Sequence, residues 1–175
     1  MNRAKQNILE RLRAANPVII NQTDLPYRPW GESEFISETA MVERFTQALI
    51  ASHAEVLPIE AAQISDTLRR LASQKSWSTA AIGSGGEWLN EFRQGLDVVR
   101  ITQFSQPIEA WKSELFTDID VGVTHVLAGI ADTGTLVLWP NEEEPRTLSL
   151  VPPCHVAVIK QSTLRCNFPQ IIQEK

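Results

Sequence analysis

The sequence predicts an α/β domain with a mixed, largely parallel sheet flanked by helices, preceded by an N-terminal helical extension. Three observations carry this expectation. Helical and strand-like periodicities alternate over the first two thirds of the chain, the pattern of crossover units that builds parallel sheets. Strand-like segments then follow one another closely in the last third, which requires some antiparallel or mixed pairing. The longest nearly apolar run, Ile119–Trp139 (IDVGVTHVLAGIADTGTLVLW), is interrupted by Asp120, Thr124, His125, Asp132, Thr133 and Thr135. Asp132 and His125 would be costly deep in a bilayer, and Gly and turn residues break any helix, so the run reads as core sheet and not as a membrane span.

Taken in order, residues 1–30 form a helix and a Pro-rich connector, and residues 31–175 form the α/β domain. Asn2–Ala15 is helical, with Ile8, Leu9 and Leu12 as one short apolar stripe, and Asn16-Pro17 stops it. Pro17, Pro26 and Pro29 keep the connector extended. Ser33 caps a second helix to about Ser52, in which Phe35, Val42, Phe45 and Leu49 recur at helical spacing. Glu55–Ile59 reads as a short strand, Ala61–Gln74 as a helix with Ile64, Leu68 and Leu71 inward, and Trp77–Ile82 as a strand ending in Gly83-Ser84-Gly85-Gly86. Glu87–Gln94 is a short helix and Leu96–Thr102 a strand. Pro107 opens a helix to about Phe116, and Val121–Ala128 fits either helix or strand. Gly129–Leu138 reads as strand, tight turn, strand. Asn141–Pro145 (NEEEP) reads as a solvated acidic hairpin tip, Val156–Lys160 and Ser162–Cys166 as strands, and Phe168–Lys175 as the start of a helix.

Composition excludes several classes. The 175 residues are 43% hydrophobic and 21% charged with a formal net charge of −5, ordinary for a globular domain. No dense basic block offers the counterion release that nucleic acid binding needs; Arg69, Arg70 and Lys75 sit on a helix and read as a solvated face. No signal-like apolar segment follows the N-terminus, so the expected location is cytoplasmic. Cys154 and Cys166 are the only cysteines, too few to ligate a four-cysteine cluster. They read as free thiols.

Two segments carry candidate chemistry. Gly83-Ser84-Gly85-Gly86, between a strand and a helix, permits close backbone approach to a small anionic ligand, yet lacks the spacing of a Walker loop or dinucleotide fingerprint. A plain turn is the competing reading, and Glu87 beside it opposes an anion. In Asp132-Thr133-Gly134-Thr135 the Asp-x-Gly order suits a tight turn with Gly at positive φ. The functional alternative is a carboxylate presented at a strand end, with Thr133, Gly134 and Thr135 beside the ligand. His125 and His155 are the titratable candidates for general base chemistry; Asp132 and His125 are the candidate catalytic residues, and Thr124 and His155 candidate ligand contacts. No flavin, nicotinamide or metal motif is present, so no cofactor is assigned.

Three pieces together resemble one family: Asp120 with Gly122-Val123-Thr124; Ile130-Ala131-Asp132-Thr133-Gly134-Thr135-Leu136-Val137-Leu138; and Leu148-Ser149-Leu150-Val151-Pro152-Pro153-Cys154-His155-Val156-Ala157-Val158. They are similar to the lactate-utilisation protein C family, the LUD domain. The resemblance covers about Asp120–Ile159. It implies a NagB/RpiA/CoA-transferase-like fold and a part in oxidising L-lactate to pyruvate beside iron–sulfur protein subunits. It also implies that later segments of the family pattern, absent before Lys175, would complete the domain. A free-standing acyl-transfer or phosphosugar- or folate-type enzyme of the same fold, and a pure interaction module, are the alternative readings. These readings include both an enzyme and a non-catalytic subunit.

Overall fold

The computed structural model describes residues 3–14, 37–103, 113 and 115–173. The connector Pro17–Trp30, Ser33, Phe35 and the Pro107 helix start lie outside these residues. Two compact units divide the chain, Met1–Glu32 and Ser33–Lys175. The first contributes one helix, α1 (Arg3–Ala14), with Arg11 and Arg13 in its last turn, where cations favour the helix dipole.

The second unit is an α/β domain. In it, α2 (Glu38–Ala51) is capped by Ser37, whose hydroxyl accepts from the Ala40 N–H at 3.2 Å. The cap is therefore Ser37 and not Ser33. A 3₁₀ turn (Ala61–Gln63) leads into α3 (Ile64–Gln74), which buries Ile64, Leu68, Leu71 and Ala72 on one face, as its spacing predicts. Residues 55–59 are not a strand; Pro58 removes a ladder donor in the middle of so short a segment.

Strand β1 (Thr79–Ile82) is followed by α4 (Leu89–Gly95) and β2 (Arg100–Gln103). Leu96 belongs to the helix end and not to the strand: its N–H bonds the Phe92 carbonyl and its side chain is fully buried. The ambiguous segment after Asp120 is extended, as β3 (Val121–His125) and then β4 (Ala128–Ile130). After β5 (Thr135–Val137) come a short helix α5 (Thr147–Leu150), β6 (Cys154–Val158), β7 (Leu164–Arg165) and α6 (Phe168–Gln173).

The strands form two sheets. One is wholly parallel, in the order β2-β1-β3-β6; the other, β5-β4-β7, pairs β4 antiparallel to β5 and parallel to β7. Both faces of the parallel sheet are covered, as such sheets require. Ala80, Ile82, Val121 and Val123 pack with Ile64 and Leu68 of α3 and Phe92 of α4. Ala81 on the other face packs with Leu115, Ile119 and Leu148. Helix α2 covers the second sheet, placing Phe45 against Ala131 and Leu164.

Asp120 fixes the register at the start of β1 and β3. Its carboxylate accepts from the Ser78 N–H (2.7 Å), the Thr79 N–H (3.0 Å) and the Thr79 hydroxyl (3.2 Å). These bonds, the one from Ser78 first, hold it below the usual carboxylate range against the opposing effect of burial. Asp120→Ala is expected to cost about 1.5–3 kcal/mol, the size of hydrogen bonds to a charged group, read as a lower midpoint in urea unfolding with an unchanged slope.

Candidate functional site

In the parallel sheet the chain leaves β1 toward β2 on one side and leaves β3 toward β6 on the other. The point between β1 and β3 is a topological switch, and open α/β sheets place ligands outside the carboxyl ends of the strands there. A cleft of about 400 Å³ opens at this position. Its walls include Gly85, Gly86, Glu87 and Trp88 after β1, His125 at the end of β3, Trp139, Asn141, Glu143 and Glu144 after β5, and Lys160 after β6.

The segment Asn141–Glu144 is solvated at Asn141, Glu142 and Glu143, but it is not a hairpin tip, and Glu144 is turned inward. The Asn141 side-chain oxygen accepts from the N–H groups of Glu143 (2.9 Å) and Glu144 (2.7 Å), folding the acids into a turn. That turn docks on the glycine loop, where the Ser84 N–H donates to the Glu143 carbonyl at 2.8 Å. A Cβ on Gly83 would lie 2.7 Å from the same carbonyl, so the docking needs glycine there.

His125 joins the two segments. Glu144 accepts from the backbone N–H of His125 (2.9 Å) and approaches ring Nδ1 at 2.6 Å. On the other side, the Trp88 N–H donates to ring Nε2 at 2.9 Å. A backbone N–H can only donate, so Nε2 accepts and the ring proton resides on Nδ1, facing Glu144. The ring packs against Phe92 at a centroid distance of 4.7 Å. Gly86, at φ +107°, leaves the space that the His125 ring fills. With both nitrogens engaged, His125 is a brace across the cleft floor; base chemistry at Nε2 requires release of the Trp88 N–H.

The other candidates fall elsewhere. Thr124 and His125 are adjacent in β3, so their side chains leave opposite faces of the sheet. Thr124, buried, shares a 2.8 Å hydrogen bond with Nε2 of His155 on β6. Asp132 lies in the turn between β4 and β5, paired with Arg44 of α2 at 2.8 Å. Gly134 takes φ +63° in that turn, as its sequence position predicts, and the Thr133 and Thr135 hydroxyls bond each other at 2.7 Å. Thus the structure brings Gly85, Gly86 and His125 together at the cleft, with Gly83 and Ser84 holding its acidic wall. It sets Thr124–His155 and Asp132–Thr135 apart from them. Sequence reasoning missed Trp88, Trp139, Glu143, Glu144 and Lys160; the Asn-x-Glu-Glu order was the available signal for the turn. Cys154 is half-buried and Cys166 buried, both free. No described helix is long and apolar enough to cross a membrane.

The parallel sheet, flanked by helices and carrying a cleft at its switch point, defines an α/β domain of the open-sheet class. The chain belongs to the LUD domain family, whose model matches residues 42–174. An uncharacterised protein of Neisseria meningitidis serogroup B is 31% identical over 97% of this chain and 74% of its own length. A lactate utilization protein C of an Exiguobacterium species is 28% identical over 79% of this chain and 59% of its own length. One from Macrococcus caseolyticus is 21% identical over 96% of this chain and 73% of its own length. No solved structure matches.

Burial pushes the His155 imidazole below its ordinary range, and the charge of Glu144 opposes this. The unfolded chain therefore takes up this proton at higher pH than the folded one. The contribution of neutral His155 is fully present above the ordinary histidine pKa of about 6.5 and is lost as pH falls through the lowered folded value. His155→Gln is expected to flatten the fall of stability between about pH 7 and 5, measured by urea unfolding at each pH.

Proposed function

We propose that this chain serves lactate utilisation as a subunit without iron–sulfur clusters, acting with iron–sulfur protein partners in the oxidation of L-lactate to pyruvate. The observation that carries this reading is the alignment of proteins named lactate utilization protein C over most of the chain. The chemistry of the chain supports a divided task. Lactate oxidation releases two electrons and two protons, and two cysteines cannot hold a four-cysteine cluster to accept the electrons. On this reading the electrons pass to clusters on the partners.

The charge at the cleft bears on where lactate goes. Among the described residues, Glu87, Glu143 and Glu144 line it beside one cation, Lys160, and Lys160 is already paired with Glu87 at 2.6 Å. A carboxylate substrate gains nothing from this lining. The reading therefore places lactate chemistry on the assembly and gives this chain a binding or organising part. Asp132, exposed in its turn and held by Arg44, is the candidate contact away from the cleft.

Deletion of the gene in a host without another lactate dehydrogenase is expected to abolish growth on L-lactate, with restoration by the intact gene. The tagged chain is expected to recover iron–sulfur proteins, seen by their visible absorbance. Unimpaired growth would contradict the reading.

A further inference from the structure

Acids on a surface are ordinarily a solvated face, but the cleft at the switch point has three further properties. It is a cavity of about 400 Å³, within the size range of small-molecule sites. Two indoles, Trp88 and Trp139, line it, and Trp139 is 67% exposed at its mouth. It also already holds a cation supplied by the chain itself: the Lys160 ammonium lies 5.6 Å from the centre of the Trp88 ring and 2.6 Å from the Glu87 carboxylate. Carboxylate plus indole face is the chemistry that receives ammonium and guanidinium groups.

The remaining carboxylates are not equivalent. Both oxygens of Glu144 are taken by His125. Glu143 folds its carboxylate over Gly85, where any Cβ would collide with it. The Glu143 backbone is fixed by Asn141 and Ser84, while its carboxylate has no partner among the described residues. The cleft thus combines a filled cation position at Glu87–Trp88 with an open acceptor at Glu143, whose backbone is held by Asn141 and Ser84.

We propose that this cleft binds an organic cation, an ammonium or guanidinium group, with Glu143 as the receiving carboxylate and Trp88 and Trp139 as the apolar walls. Lys160 occupies part of the same site in the free chain and competes with the ligand for Glu87 and the Trp88 ring. The cation can belong to a free amine or to a Lys or Arg side chain of a partner protein; the recognition chemistry is the same. This inference stands apart from the lactate reading, since growth on lactate and cation binding can fail separately.

The test is calorimetric titration of the purified chain with agmatine and with a blocked tripeptide containing one arginine, with L-lactate as the anionic control. Saturable binding of at least one cation is expected, with none of L-lactate. Glu143→Gln, which keeps the turn and removes the charge, is expected to weaken binding about tenfold, the scale of a charge-assisted hydrogen bond. Lys160→Met, which keeps the apolar stem and removes the competitor, is expected to tighten it several-fold. Circular dichroism melting confirms that both variants fold. Tighter binding of the tripeptide assigns the cation to a partner side chain, and tighter binding of agmatine to a free amine. No saturable binding of either cation, or affinities unchanged in both variants, would overturn the proposal.

Discussion

The cleft depends on one side chain bonded at both ends. His125 sits at the carboxyl end of β3, its backbone and Nδ1 tied to Glu144 and its Nε2 to the Trp88 N–H. Those three bonds couple the sheet, the glycine loop after β1 and the acidic turn after β5. The bonds to Glu144 involve a charge and are mostly shielded from water, His125 and Glu144 being 20% and 17% exposed. Such bonds contribute more than neutral surface ones. Leaving either group buried without its partner would cost more than the pair contributes. Gly86 is part of the same constraint, because its absent side chain is the space the imidazole occupies.

Residues that carry the family resemblance hold the sheets in place, whereas the cleft is lined largely by others. Asp120 pins the starts of β1 and β3. Thr124 and His155 tie β3 to β6 on the face away from His125. Asp132 fastens the β4–β5 turn to α2 through Arg44. Close packing adds to this: Gly134 of the same turn approaches Ala48 of α2 so closely that a Cβ would lie 2.7 Å from the Ala48 Cβ. The motif therefore has an architectural reason in this fold besides any contact it makes with a partner.

Local chemistry was legible in the sequence and distant pairing was not. The periodicity of α3, the strand-turn-strand of Gly129–Leu138 and positive φ at Gly134 each follow from a few neighbouring residues. The α/β class follows from their alternation. Glu142 and Glu143 face water as consecutive glutamates normally do; what keeps Glu144 inside is a histidine 19 residues earlier. Its docking site is remoter still, since Ser84 meets Glu143 across a separation of 59 residues. The α2 cap was misplaced because Ser33 and Ser37 are equally good capping residues, and only the backbone decides. The division into two sheets rests on β3 passing directly into β4 through Val126 and Leu127. Their N–H groups bond Val158 and Val137 respectively, one in each sheet.

The central claim is that His125 is a neutral brace with its proton on Nδ1. Long-range proton–nitrogen NMR of the labelled imidazole tests this most directly. The account predicts a protonated Nδ1 and an unprotonated, hydrogen-bonded Nε2 at neutral pH, with the Trp88 amide protected from exchange. A proton on Nε2, with a freely exchanging Trp88 amide, would contradict it.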